Sequence, residues 1–179
     1  MDIDVPFKEL GTVNSAALSA AVKKLDERAW IDCDIRQKSY DVHRQTRSIV
    51  LVFAQGWPDI HVGKYSGWNL LAGVAMPVVN EVIEHYYPPG GDIIRLMVAN
   101  LVAGGSIDEH YDADPSFALG HRIHVPLQTN PDVRFLIEGK RYVMDEGIAY
   151  EINNLKFHAV HNQGTEDRYH LIFDYVPPH

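Results

Sequence analysis

The chain has 179 residues, of which 46% are hydrophobic, 22% charged and 10% aromatic, the composition of an ordinary globular domain. Its 16 Lys plus Arg against 24 Asp plus Glu leave a net charge of -8, opposite in sign to what phosphate-backbone binding requires, so no nucleic-acid partner is expected. The single cysteine, Cys33, excludes an intramolecular disulfide and a Cys-rich zinc module, and neither a signal peptide nor an apolar run of about 20 residues is present, so a cytoplasmic protein without membrane contact is expected.

No internal repeat or linker-like segment interrupts the chain, which predicts a single domain over residues 1–179. From Asn14 to about Leu25, with Asn14 or Ser15 as cap, the helical spacing of Leu18, Val22 and Leu25 predicts an amphipathic helix. A second helix is predicted from Pro77, a residue suited to a first helical position, through Tyr86 to the Pro88-Pro89-Gly90-Gly91 stop. Ser48 to Ala54 and Asp92 to Val102 are apolar, β-branched runs of buried-strand type. After Gly105 no helix is predicted. Instead short strands follow: Ser106–Asp112, Gly120–Leu127, Val133–Glu138, Arg141–Met144, Gly147–Ile152, Phe157–Asn162 and Arg168–Val176. Glu138-Gly139-Lys140 and Asn162-Gln163-Gly164 have the composition of hairpin turns. Helices in the half 1–91 followed by strands over about 92–176 predict an α+β, mainly β protein: a double-sheet jelly roll of the cupin kind with the helices packed outside.

Histidine is the unusual count, 10 in all, and six of them (His110, His121, His124, His158, His161 and His170) fall within 61 residues of the C-terminal half. In His110-Tyr111-Asp112, residues i and i+2 of an extended strand share a face, which sets an imidazole beside a carboxylate. His158 offers a third ligand if strands bring it across the barrel. Two imidazoles and one carboxylate on one side of a metal leave the other side open, the arrangement of non-haem Fe(II) oxygenases. Arg168 follows the Asn162-Gln163-Gly164 turn and is expected on the next antiparallel strand, returning toward the level of His158. A fork-shaped, permanently charged guanidinium inside a barrel near a metal is a carboxylate receptor.

The run His110-x-Asp112, then GHRIHVPLQTNPDVRF, then EINNLKFHAVHNQG, then Arg168-Tyr169-His170-Leu171-Ile172-Phe173-Asp174 resembles the aspartyl/asparaginyl β-hydroxylase family, Fe(II)- and 2-oxoglutarate-dependent dioxygenases on a double-stranded β-helix. The resemblance covers roughly Asp92 to Tyr175, about half of the chain, and the N-terminal half matches only loosely. It implies that His110, Asp112 and His158 are the iron ligands and catalytic centre. It implies further that Arg168 partners the distal carboxylate of 2-oxoglutarate, with Arg122 and His124 near the keto-acid end. Some members lack the carboxylate ligand; Asp112 sets this chain with the full-triad branch. A hydroxyl residue that serves the co-substrate site in some members stands here as Ala99. The activity implied is O2-dependent hydroxylation of an aliphatic C–H in an amino acid, either an Asp or Asn residue of a peptide or a free amino acid such as proline, with a small molecule or peptide as substrate. Another cupin-type metalloenzyme and a non-catalytic barrel binding a small acid are the alternatives.

Family members often carry an arginine in the region of Lys38-Ser39-Tyr40 and Arg44-Gln45-Thr46-Arg47, and Arg47 is the candidate for a substrate carboxylate, against a solvated charge cluster. Trp57, Tyr65 and Trp68 are candidates to line an entrance or to pack the helical layer, and packing is the expectation. Cys33 is expected to be a small buried apolar residue. His121, His161 and His170 are expected to be surface or packing residues. No phosphate-binding glycine loop, Gly-x-Ser-x-Gly elbow or Cys-His protease pattern occurs.

Overall fold

The computed structural model describes residues 3–31 and 46–178; Cys33, Lys38, Ser39, Tyr40, Arg44 and Gln45 lie outside the described residues. Among the described residues eleven strands pair into two sheets. In chain order the elements are β1 (Phe7–Thr12), α1 (Ala16–Val22), α2 (Glu27–Ile31), β2 (Thr46–Gln55), β3 (His61–Lys64), α3 (Ser66–Tyr86), β4 (Asp92–Leu101), β5 (Ser106–His110), β6 (His121–Gln128), β7 (Val133–Ile137), β8 (Lys140–Tyr142), β9 (Ile148–Ile152), β10 (His158–Asn162) and β11 (Arg168–Val176). The large sheet has the order β1-β9-β6-β11-β4-β2-β3 and the small one β5-β10-β7-β8. All pairings are antiparallel. This is the expected mainly β, cupin-like jelly roll with helices outside.

The central strands of the large sheet are buried on both faces because each face meets a different layer. Ile123 and Val125 of β6, and Leu171 and Phe173 of β11, pack with Leu71, Val78, Val79 and Val82 of α3 in one core. The alternate residues of the same strands point toward the small sheet. There a second core joins Leu101, Tyr150 and Ile152 to Phe135, Ile137 and Val160. The polar residues Arg122, His124, Arg168, His170 and Asp174 all fall on this second face by their even numbering.

Several elements differ from the sequence expectation. α3 begins at Ser66, not Pro77, and Pro77 lies inside it. Pro77 lacks an N–H for the carbonyl of Gly73, yet both residues are exposed, so water can satisfy that carbonyl. One turn of 3₁₀ helix, Pro115–Ala118, interrupts the all-strand C-terminal half; it is capped by Asp114, whose side chain accepts from the Ser116 N–H at 2.8 Å. The Glu138-Gly139 turn does join β7 to β8, with φ of 49° and 73° at the two residues. The Asn162-Gln163-Gly164 segment is not a hairpin turn: β10 belongs to the small sheet and β11 to the large one. The chain crosses the barrel there, so Arg168 faces His158 across the interior rather than along a ladder. The edge strands β1 and β3 are too short and too polar to announce themselves. Trp68 and Tyr65 are partly buried against apolar cores, whereas Trp57 is 53% exposed.

Candidate metal centre

His110 and His158 are direct cross-strand partners on β5 and β10, with ring centroids 4.4 Å apart. A bulge makes this possible: β5 spends two residues, Asp108 and Glu109, where β10 spends only Ala159. The extra residue turns both Ile107 and His110 to the interior. Asp112 lies just past the end of β5, not on it, and its N–H donates to the Asn154 carbonyl at 3.0 Å. One donor atom from each of His110, Asp112 and His158 lies within 4.8 Å of the other two.

The two imidazoles are oriented in the same way. Nδ1 of His110 is 2.7 Å from the Asp108 carbonyl, and Nδ1 of His158 is 2.9 Å from the Lys156 carbonyl. A carbonyl oxygen only accepts, so each Nδ1 carries the proton and each Nε2 presents its lone pair. Burial, the largest influence, lowers the pKa of His158 and so favours the neutral, ligating ring. Two preset Nε2 donors and a carboxylate fit a divalent transition metal such as Fe(II).

Asp112 is itself held. Its Oδ2 accepts from Arg122 Nη1 at 2.5 Å and from Asn154 Nδ2 at 3.1 Å. Arg122 in turn grips Asp174 with two parallel bonds of 2.8 Å through Nε and Nη2, the fork geometry of a strong guanidinium–carboxylate pair. Arg95 reaches the same Asp174 at 3.2 Å, and Phe117 of the 3₁₀ turn lies against both guanidinium groups at 4.0 and 4.6 Å. The result is an alternating buried chain, Arg95, Asp174, Arg122, Asp112, that ends at the metal site. Arg122 lines the cavity, and its Nε, Nη1 and Nη2 bond Asp174 and Asp112.

A small cavity joins this centre to Arg168. His124, Thr46, Ala99, Ile107 and Phe135 complete much of its lining, a mostly apolar wall with a few convergent polar groups. Arg168 is 3% exposed and, among the described residues, has no carboxylate partner; its pKa falls to about 9 through burial alone. Ala99 offers no hydroxyl. Its register partner Ser48 on β2 has a buried Oγ without a hydrogen-bond partner among the described residues.

Arg47 is not in the cavity lining. It pairs with Glu27 of α2 at 2.5 Å, because its neighbour Thr46 takes the inward position on β2. His121 also points away from the site, bonding Glu151 on the helical side, where the Tyr87 hydroxyl donates to the same carboxylate at 3.0 Å. His161 is partly buried on β10, opposite Arg134 and Ser106. His170, expected to be a packing residue, is fully buried and accepts a hydrogen bond from Arg168. The groups that residue-by-residue reading misses are Asn154, Asp174, Arg95 and His170; the Asn153-Asn154 pair between β9 and β10 was the one local signal.

A family model described as aspartyl/asparaginyl beta-hydroxylase matches residues 20–178 of this chain, well beyond the C-terminal half. No curated protein sequence matches it. Among solved structures, a 2OG-Fe(II) oxygenase family oxidoreductase from Burkholderia pseudomallei is similar with a TM-score of 0.56 at 11% identity, covering 91% of both chains. The nickel complex of the non-heme monooxygenase ThoJ is similar with a TM-score of 0.57 at 16% identity, covering 97% of this chain and 74% of that one. At such identities these likenesses establish the fold.

Proposed function

The chain belongs to the aspartyl/asparaginyl β-hydroxylase family, and from that premise we propose that it is an Fe(II)- and 2-oxoglutarate-dependent oxygenase that hydroxylates an aliphatic C–H of an amino acid. The substrate is an Asp or Asn residue in a peptide or a free amino acid such as proline. Bound Fe(II), with 2-oxoglutarate and O2, supplies the oxidising power for that hydroxylation, and succinate and CO2 are released.

One observation carries the co-substrate assignment: a buried guanidinium without a carboxylate partner among the described residues lines the same cavity as a two-histidine, one-carboxylate cluster. A charge in such surroundings is costly unless it is paired. The distal carboxylate of a dicarboxylic keto acid is a partner of the right charge at the right end of the cavity. His110, Asp112 and His158 hold the metal. Arg122 and Asn154 fix the Asp112 carboxylate, and the Asp108 and Lys156 carbonyls fix the ring tautomers. Phe135, Ile107 and Ile172 keep the cavity wall apolar and limit the access of water. His124 lines the same cavity and is assigned to the co-substrate's keto-acid end.

The test is anaerobic. Protein loaded with Fe(II) and titrated with 2-oxoglutarate is expected to develop a saturable visible charge-transfer band. His158→Ala removes the band, and Arg168→Ala moves it to higher 2-oxoglutarate concentration. Aerobic succinate release with Asp- or Asn-containing peptides and free proline then sorts the substrates. Folded, iron-loaded protein that gives neither a band nor 2-oxoglutarate-dependent succinate overturns the assignment.

A further inference from the structure

Arg168 opens β11 and His170 follows two residues later on the same face. Both are enclosed, at 3% and 0% exposure. Arg168 Nη2 lies 3.0 Å from His170 Nδ1. A guanidinium has donors and no acceptor, so Nδ1 is the acceptor and the imidazole is neutral, with its proton on Nε2. The surroundings push the same way: burial first, then the neighbouring Arg168 and His124, hold the His170 pKa well below its ordinary value. Arg168 Nε and His170 Nε2 have no hydrogen-bond partner among the described residues. His170 is absent from the wall of the metal cavity and instead shares with Arg168 a smaller recess lined also by Arg141 and Tyr142.

We infer that His170 is a positioning residue for the co-substrate: through a neutral hydrogen bond it aims the Arg168 guanidinium into the metal cavity while leaving its positive charge whole for an incoming carboxylate. The inference rests on the reading above that Arg168 receives the distal carboxylate of 2-oxoglutarate. Its physical content lies in the choice of acceptor. An Asp at this position would orient the guanidinium as well, but it would also neutralise it, as Asp174 does for Arg122. A neutral imidazole supplies direction without compensation.

Two near-isosteric variants separate these effects. Asn at position 170 keeps an acceptor oxygen close to the place of Nδ1; Asp keeps that shape and adds a charge. Equilibrium binding of 2-oxoglutarate is measured anaerobically on the metal-loaded wild type, His170→Asn, His170→Asp, His170→Leu and Arg168→Ala, together with thermal midpoints without co-substrate. His170→Asn is expected to bind within a few-fold of wild type. His170→Leu, which loses a hydrogen bond to a charged group, is expected to weaken binding about tenfold or more. His170→Asp is expected to weaken it at least as much, yet to melt above wild type because it gives Arg168 a counter-ion. In turnover the loss is expected in the KM for 2-oxoglutarate rather than in kcat.

If His170→Asp binds the co-substrate as wild type does, or if affinity and melting temperature fall together across the series, His170 is structural and the inference is overturned. If the wild type does not bind 2-oxoglutarate, or Arg168→Ala binds it equally well, the reading of the site itself fails and the inference falls with it. The wild-type and Arg168→Ala arms tell the two failures apart.

Discussion

Arg122 and Arg168 enter one cavity from adjacent strands, β6 and β11, and each is buried to within a few per cent. At the metal end, Arg122 sits between two carboxylates and shares one of them with Arg95. At the other end, Arg168 has a neutral imidazole and an aromatic ring, Phe135, at 6.0 Å. The same side chain in the same sheet thus does opposite work. Arg122 is paired with two carboxylates and holds Asp112, a candidate metal ligand, in place; Arg168 has no carboxylate partner among the described residues. Compensation within the fold marks a scaffold, and its absence marks a binding site.

Removing each charge should therefore give opposite results. Arg122→Met leaves Asp174 to Arg95 alone and loosens Asp112, and is expected to cost about 3–5 kcal/mol of stability, read from denaturant midpoints. Arg168→Met removes a buried cation that has no carboxylate partner among the described residues. It is expected to leave stability unchanged or raised while weakening 2-oxoglutarate at least ~30-fold, the low end for losing one partner of a buried charge pair. Equal destabilisation by the two variants would break the comparison, since it would mean that the fold compensates Arg168 after all.

Smaller effects sharpen the contrast. Asn154→Ala removes a side-chain donor on Asp112 Oδ2, and should weaken metal binding by about 10–100-fold, as loss of an outer-shell contact does, measured by competition with a chelator. His170 is neutral in the fold with its pKa lowered, whereas the unfolded chain takes up the proton below about 6.5. Stability is therefore fully present above the unfolded value and is lost as pH falls below it, toward the folded value, by up to ~1.4 kcal/mol per pH unit. Denaturant midpoints of metal-free protein between about pH 7.5 and 5.5 should show that acid loss, and His170→Asn should flatten it; a variant with an unchanged slope would assign the titration elsewhere. Arg47→Ala breaks an exposed pair with Glu27. It should cost under ~1 kcal/mol and leave 2-oxoglutarate binding unchanged, and a large loss of substrate turnover would return Arg47 to the site.

What was legible in the sequence depended on range. The His-x-Asp pair, His158 and Arg168 could be picked out because their residue types are chemically distinctive. The strand alternation could be read because period two is a local property, and β11 appears with the expected bounds, Arg168–Val176. Local signals also misled. Pro77 has the chemistry of a helix start, yet packing of Leu71 and Ala75 against the sheet carries α3 eleven residues further toward the N-terminus. The turn composition at Asn162-Gln163-Gly164 is that of a hairpin, yet the two strands it joins lie in different sheets. The i, i+2 argument for His110 and Asp112 assumed a regular strand, whereas a bulge aims the histidine and a backbone bond to Asn154 aims the carboxylate.

By itself, the sequence determined the fold class, the cluster of metal-ligating residue types, and the face of β6 and β11 on which Arg122, His124, Arg168 and His170 lie. All of these follow from residue chemistry and a two-residue repeat. Only the tertiary structure decided which arginine would be neutralised. Asp174 lies 52 residues from Arg122 and six from Arg168 along the chain, yet it bonds the distant one. Coulomb energies depend on distance and local dielectric, both set by which strands become neighbours. Pairing β6 beside β11 in antiparallel register puts Asp174 directly opposite Arg122 and carries Arg168 to the far end of the ladder.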